Sequence, residues 1–334
     1  MVRGVRLAQR AAGRALPHSW GVGAPILRSG DALALATRDH EFTMRAPPLH
    51  LPNTPLQRKN WWLRGVAAGM AALLGFATLD TQQRKWIFQA PRSAAAPEPE
   101  ATDAHDHWIG FDAPDSRASV RLHARWLAQA RADAPVLLYL HGARCDLQSS
   151  AERMQHLHEL GFAVLGIDYR GFGRSTAGLP SELSAREDAQ AAWRWLAQRH
   201  PHAQRLVNGH SLGGAIAVQL ASAVDDAAGL IVEGTFTSIP EVFDTLKWHW
   251  LPVRTLITQR FDSAQRVAEV RVPMLVVHGS ADRTVRPHLG RALFERATSA
   301  KRFMLVEGGS HHDTHRVGEA QYREALRELF GLVA

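Results

Sequence analysis

A single cysteine, Cys145, in 334 residues excludes an intrachain disulfide, though not an extracytoplasmic location. No internal repeat is visible. Acidic side chains are missing from the first thirty residues, which carry five arginines. Net charge is missing from the rest of the chain. Residues 1–64 hold ten basic and three acidic side chains and account for the whole formal charge of +7, which leaves 29 of each sign in residues 65–334. A neutral body argues against a nucleic-acid surface and leaves the basicity to a membrane-flanking or targeting segment. The last absence is of any charge between Gly65 and Leu79.

Residues 1–60 are rich in Arg, Ala and Pro and show no sustained period. Their composition fits an organellar transit peptide, or a start placed too far upstream with Met44 as the true first residue. Trp61-Trp62-Leu63-Arg64 then opens the uncharged stretch. Its fifteen residues fall short of a spanning helix, but counting from Trp61, with Arg64 snorkelling, gives 19, which suffices. The tandem Trp sits where an aromatic belt belongs, and Arg58, Lys59 and Arg64 place the N-terminal side in the cytoplasm. The alternatives are a buried core helix and a cleaved signal peptide with a small-residue site near Ala94-Ala95-Ala96. The expectation is a basic segment 1–60, one anchor helix 61–80, a linker 81–104 and a folded domain 105–334 outside the cytoplasm. His105 and His107, flanking Asp106, read as polar linker rather than a metal site.

From about residue 107 apolar runs alternate with helical patterns. The runs are 108–111, 120–127, 136–140, 162–169, 206–208, 230–232, 274–277 and 303–306. Helical patterns cover 150–160, 185–198, 212–223, 287–297 and 319–329. Strands near the start come without helices and later ones are separated by them. This predicts an α/β fold with a mostly parallel central sheet and helices on both faces. In such sheets ligands bind beyond the carboxyl ends of the strands, so the residues after each run are the informative ones.

The run 206–208 leads into Gly209-His210-Ser211-Leu212-Gly213-Gly214 and then an apolar helix. A Gly-x-Ser-x-Gly between strand and helix is a nucleophile elbow. The chain reverses within a few residues, which strains Ser211, and Gly209 and Gly213 are small because strand, turn and helix crowd together there. The turn lifts the hydroxyl clear of the sheet and aims the Leu212 N–H at a developing oxyanion. After run 136–140, His141-Gly142-Ala143-Arg144 offers the Ala143 N–H as a second donor. After run 274–277, Asp282 stands where a triad acid belongs. After run 303–306, His311 follows the turn at Gly308-Gly309. Each feature alone is an ordinary turn. Four of them at four strand ends, in the order Ser211, Asp282, His311, match the α/β-hydrolase order.

These stretches resemble membrane-anchored α/β-hydrolase-domain serine hydrolases, the group that includes lysophospholipases and protein depalmitoylases. The resemblance is carried by residues 83–88, His141-Gly142, residues 168–175, residues 209–214, residues 233–238, and Val277-His278-Gly279 with Asp282. It covers about residues 81–334. It implies an N-terminally anchored hydrolase with little or no lid, acting on ester or thioester bonds. One departure is Ala143, where the family usually has Asn after His-Gly. The donor there is a backbone N–H, so the change bears on substrate orientation rather than on the chemistry.

The expectation is a serine hydrolase in which His311 takes the Ser211 proton, Asp282 fixes the imidazole, and an acyl-enzyme forms on Ser211. Ala143 and Leu212 supply the oxyanion hole. No metal or organic cofactor is needed, and the partners are a small acyl substrate, lipid-like in the anchored reading, and the membrane. The rivals are acyl transfer or peroxidase chemistry on the same triad, and a noncatalytic hydrolase-like scaffold. His311, His312, Asp313 and His315 as a metal cluster is disfavoured, because adjacent residues seldom face one ion. Asp168 and Arg170 read as a structural turn, and Arg144 as a solvated cation beside the cleft. Trp193 and Trp195, two apart on a helix, face different ways. Trp248, Trp250 and Leu251, in the short stretch available for a lid, read as acyl-pocket lining, a lipid contact or the packing of a short helix pair.

Overall fold

The computed structural model describes residues 55–91, 104–114, 117–245 and 253–332. Eight strands form one sheet in the order β1-β2-β4-β3-β5-β6-β7-β8. They are β1 (Ala104–Asp112), β2 (Ser119–Leu127), β3 (Val136–Leu140), β4 (Ala163–Ile167), β5 (Arg205–His210), β6 (Gly229–Glu233), β7 (Met274–Gly279) and β8 (Lys301–Val306). β1 and β2 are antiparallel to their neighbours, and the six from β3 onward are mutually parallel. β2 alone runs opposite to the other strands, and no helix comes between it and the strands before and after it in the chain.

The helices are α1 (Pro55–Phe88), α2 (Ala151–Glu159), α3 (Glu182–Arg199), α4 (Leu212–Ala221), α5 (Ile239–Asp244), α6 (Ser263–Arg266), α7 (Pro287–Arg296), α8 (Thr314–Val317) and α9 (Glu319–Phe330). Alternation along the strands divides the core in two. Val136, Leu138 and Leu140 of β3 face α3, α4 and α7, whereas Leu137 and Tyr139 face α2 and α9. Helices therefore cover both faces, as expected. α4 lies against the sheet with almost every residue buried, which is why it is apolar nearly all round. Ser181 and Ser184 close a reciprocal capping box that starts α3, and Gly331, at φ 66°, ends α9.

The N-terminal boundary differs from expectation. α1 continues to Phe88, so residues 81–88, expected as linker, are helical. The cause is packing: Phe88 is 1% exposed and meets Phe172 and Phe261 edge-on. The histidines assigned to linker, His105 and His107, lie on β1, and the His107 ring packs on Trp195. Residues 1–54, Ala94–Ala96 of the small-residue site, and the lid-region side chains Trp248, Trp250 and Leu251 lie outside the described residues. The short α5, α6 and α8 had no predicted bounds, because each is too brief to show a period.

Candidate active site

β5 ends at His210 and α4 begins at Leu212, which leaves Ser211 alone to make the turn, at φ 55° and ψ −119°. That is a left-handed conformation a non-glycine residue adopts only when its surroundings enforce it. They do so by crowding. A Cβ on Gly209 would strike the Gly213 backbone, and one on Gly213 would strike Leu140. The Ser211 N–H donates to the Glu233 carbonyl at 2.8 Å, and its own carbonyl accepts from Thr235 Oγ1 at 2.9 Å.

His311 Nδ1 lies 2.7 Å from Asp282 Oδ2. The other carboxylate oxygen, Oδ1, accepts the N–H groups of Thr284 and Val285 at 2.8 and 2.9 Å. His278 Nε2 sits 3.4 Å from Oδ2. Burial alone would push the Asp282 carboxyl up, but hydrogen bonds from His278 and His311, with the two backbone donors, hold it well below the usual carboxylate range. The acid is thus ionised at neutral pH and fixed on four sides.

Ser211 and His311 line one cavity of about 750 Å³, with Ala143, Leu212 and His312 on the same wall. Leu212 opens α4, so its N–H is among those a helix leaves unpaired. Gly142 packs on Ser211 Cβ, where an added Cβ would come within 3.1 Å. The Arg144 N–H donates to the Phe88 carbonyl at 3.0 Å. The loop carrying Ala143 is therefore pinned between the elbow and the end of α1. Phe236, Ile239, Val242, Phe243, Trp86 and Ile87 also line the cavity and make it largely apolar, with Gln89 beside them.

Several contributors had no role assigned from the sequence. His210 Nε2 donates to the His311 carbonyl at 2.9 Å, and burial lowers its pKa well below the ordinary value, so it stays neutral. Gly234, at φ 53°, leaves room for the His311 ring: an added Cβ would lie 3.2 Å from Nδ1. Arg153 pairs with Glu233 in the interior and donates to the His312 carbonyl at 3.1 Å. Glu233 and Gly234 stood within the stretch that resembled the family, but with no role attached; for Arg153 no pattern pointed inward.

The remaining candidates go elsewhere. Asp313 stands at the N-cap of α8, yet its carboxylate accepts from the Ser310 N–H at 2.6 Å. His315 faces away, with its ring on His156 and Nε2 3.7 Å from Glu152. Asp168 accepts from the Leu147 N–H and pairs with His123, while Arg170 pairs with Glu187 and Asp188. Both hold loops in place, as a structural turn should. Trp193 is buried and Trp195 half-buried beneath the Arg199 guanidinium.

Comparison with known proteins fits this geometry. The Hydrolase_4 family model, described as serine aminopeptidase, S33, matches residues 131–264 and 253–316. A Mycobacterium tuberculosis protein described as uncharacterized is 37% identical over 197 residues, which is 58% of this chain and 69% of that protein. The lysophosphatidylserine lipase ABHD12 of Danio rerio is 32% identical over 198 residues, 53% of this chain and 51% of the lipase. The chain thus spans about half the length of that lipase. Among solved structures, the Pyrococcus furiosus esterase Pf2001 superposes with a TM-score of 0.58 at 18% identity, covering 72% of this chain and 99% of the esterase. Est1E of Butyrivibrio proteoclasticus, bound to ferulic acid, gives 0.55 at 20% identity, covering 68% of this chain and 100% of Est1E. Identities this low establish the shared fold.

Proposed function

The chain belongs to the Hydrolase_4 family of the α/β-hydrolase superfamily, and on that premise we propose that it cleaves ester or thioester bonds through Ser211, His311 and Asp282. Ser211 Oγ attacks the acyl carbonyl while His311 Nε2 takes its proton. Asp282 holds the Nδ1–H tautomer and stabilises the imidazolium. The N–H groups of Ala143 and Leu212 hold the developing oxyanion. Collapse expels the alcohol or thiol, protonated by His311, and leaves an acyl-enzyme. Water, deprotonated by the same imidazole, then releases the acid and restores Ser211.

The observation that carries this reading is the 2.7 Å contact between His311 and Asp282 at the wall of the cavity that Ser211 enters from a strained turn. The apolar lining suits an acyl chain, so the substrate class is a small, lipid-like ester. In this reading residues 105–334 form the catalytic domain and α1 anchors it. An 18-residue window of the helix Asn60–Phe88 has a mean hydropathy of 1.4, and the 19 residues from Trp61 to Leu79 rise about 28 Å, close to the thickness of the hydrocarbon core. The domain then lies outside the cytoplasm.

The test is covalent. A fluorophosphonate, whose phosphoryl oxygen mimics the oxyanion, should label the wild-type protein and not Ser211→Ala, whose kcat should fall by roughly 10⁴–10⁶-fold. A folded wild type that stays unlabelled beside a reactive control hydrolase refutes the triad.

A further inference from the structure

α1 does not stop where its apolar stretch stops. One turn further on, its polar side chains grip the body. Asp80 accepts from Thr258 Oγ1 at 2.7 Å and Gln259 Nε2 at 2.9 Å. Gln83 accepts the Thr258 N–H at 2.8 Å and donates to the Leu256 carbonyl at 2.7 Å. Arg84 donates to the Pro180 carbonyl at 2.8 Å. At the last residue Phe88 is buried and its carbonyl holds the Arg144 N–H. The helix is thus clamped at two levels, and its direction relative to the body is fixed.

Between those levels lie Trp86 and Ile87, in the wall of the Ser211 cavity. Seven residues separate Leu79 from Trp86, a rise of about 10 Å. Trp86 is 73% exposed even though it lines the cavity, and Leu256, beside Gln83, is 54% exposed. Higher on the same helix Leu73, Leu74 and Phe76 are exposed as well. Exposed apolar side chains thus stand in the uncharged stretch and again at the cavity rim, two turns apart across the polar residues 80–85. A tryptophan at that depth is at home in a headgroup region.

We infer that the Ser211 cavity opens against the bilayer and that a membrane-borne acyl chain enters it along the last turns of α1, past Trp86. This rests on the readings of α1 as an anchor and Ser211 as the nucleophile. A long chain that slides from lipid onto Trp86, Ile87 and Phe243 stays in apolar contact, whereas one that crosses water exposes its whole length. The clamp at Asp80, Gln83 and Phe88 sets the height of the cavity above the lipid.

The experiment uses the full chain in phosphatidylcholine vesicles, with p-nitrophenyl butyrate in the water and p-nitrophenyl palmitate in the same bilayer. A seven-residue polar helical insertion between Leu79 and Asp80 adds two turns, keeps the helix face and lifts the body by about 10 Å. Palmitate turnover should fall by about tenfold or more while butyrate turnover stays within about twofold. Unchanged palmitate turnover overturns the inference. Should the insertion also abolish butyrate hydrolysis, the wild type decides: at fixed total palmitate, its rate should follow the mole fraction in the bilayer as lipid is added. A rate that follows bulk concentration alone overturns the inference too. Failure of the underlying readings shows separately, as wild type that neither labels with fluorophosphonate nor cleaves butyrate, or that does not float with vesicles.

Discussion

The N–H of Ser211 donates to the carbonyl of Glu233 at 2.8 Å, so the proposed nucleophile hangs from the end of the neighbouring strand β6. The Glu233 side chain continues the connection. It pairs with Arg153 and accepts from Tyr322 Oη at 3.0 Å and Asn208 Nδ2 at 3.3 Å, while Arg153 donates to the His312 carbonyl. One buried pair thus reaches both the nucleophile turn and the histidine loop.

Breaking that pair should cost stability and turnover together. Burial opposes the Glu233 charge, but Arg153 and its other partners hold the carboxyl below its usual range. Glu233→Gln strands the Arg153 cation, a loss of about 3–5 kcal/mol by denaturant titration. kcat should drop while KM changes little. An unchanged unfolding midpoint contradicts the clamp.

The two adjacent histidines should separate cleanly. His311→Ala should abolish ester turnover, and Asp282→Asn should lower kcat on the order of 10⁴-fold by misorienting the imidazole. His312→Ala should retain much of the wild-type rate, because its ring borders the cavity while the carboxylate contact is made by His311. The reverse ranking in purified protein reassigns the base.

Gly234→Ala probes the space behind the imidazole. The new methyl group would lie 3.2 Å from His311 Nδ1, on a backbone at φ 53°. The left-handed backbone costs about 1–2 kcal/mol by itself. The ring must also shift against Asp282, so kcat should fall even in the folded fraction. Wild-type kinetics in Gly234→Ala would show that the ring has slack.

Acid should weaken the fold. Burial lowers the pKa of His141, His156, His210 and His315. Between about pH 6.5 and those lowered values the unfolded chain binds protons that the native state refuses. Their contribution is complete above that window and lost as pH falls through it. His123 opposes them: despite its burial, Asp168 and Asp106 raise its pKa, so its contribution is complete below about pH 6.5 and lost as pH rises through the raised value. Burial also pushes the Asp188 carboxyl up to about 7, so its contribution too is lost as pH rises through that value. Four groups outweigh two, and the unfolding midpoint should fall between about pH 7.5 and about pH 5.5. A flat profile contradicts the burial of these rings.

Topology can be read with fusions. Arg58, Lys59 and Arg64 on one side of the apolar stretch should keep that side cytoplasmic. A reporter placed after Leu140 should be active only as an exported one; activity only as a cytoplasmic reporter contradicts the anchored, exported orientation.

The sheet was legible because its signals are local. Each of the eight apolar runs became a strand, and the elbow announced itself through Gly209 and Gly213, small residues that a sharp turn demands. The residues proposed for chemistry were legible because they follow strand ends. The groups that hold them were not. His210, Gly234 and Arg153 meet the His311 loop across separations of 77 to 159 residues, and such pairings leave no period in the sequence. The reach of α1 was hidden for a different reason. Its charged residues read as the end of a span, when Asp80 and Arg84 are turned toward carbonyl and amide groups of the body.

Phe88 bears on how the chain matures. A leader peptidase cutting near Ala94–Ala96 would release α1 with Phe88 still attached. The body would then face water through the hole beside Phe172 and Phe261, and loss of a buried phenyl ring of this kind typically costs about 3–5 kcal/mol. Arg144 would lose the carbonyl that steadies the Ala143 loop. For this fold, shedding the helix is not a trimming step but the removal of a working part, so the secreted product of such a cut would be an enzyme missing one wall.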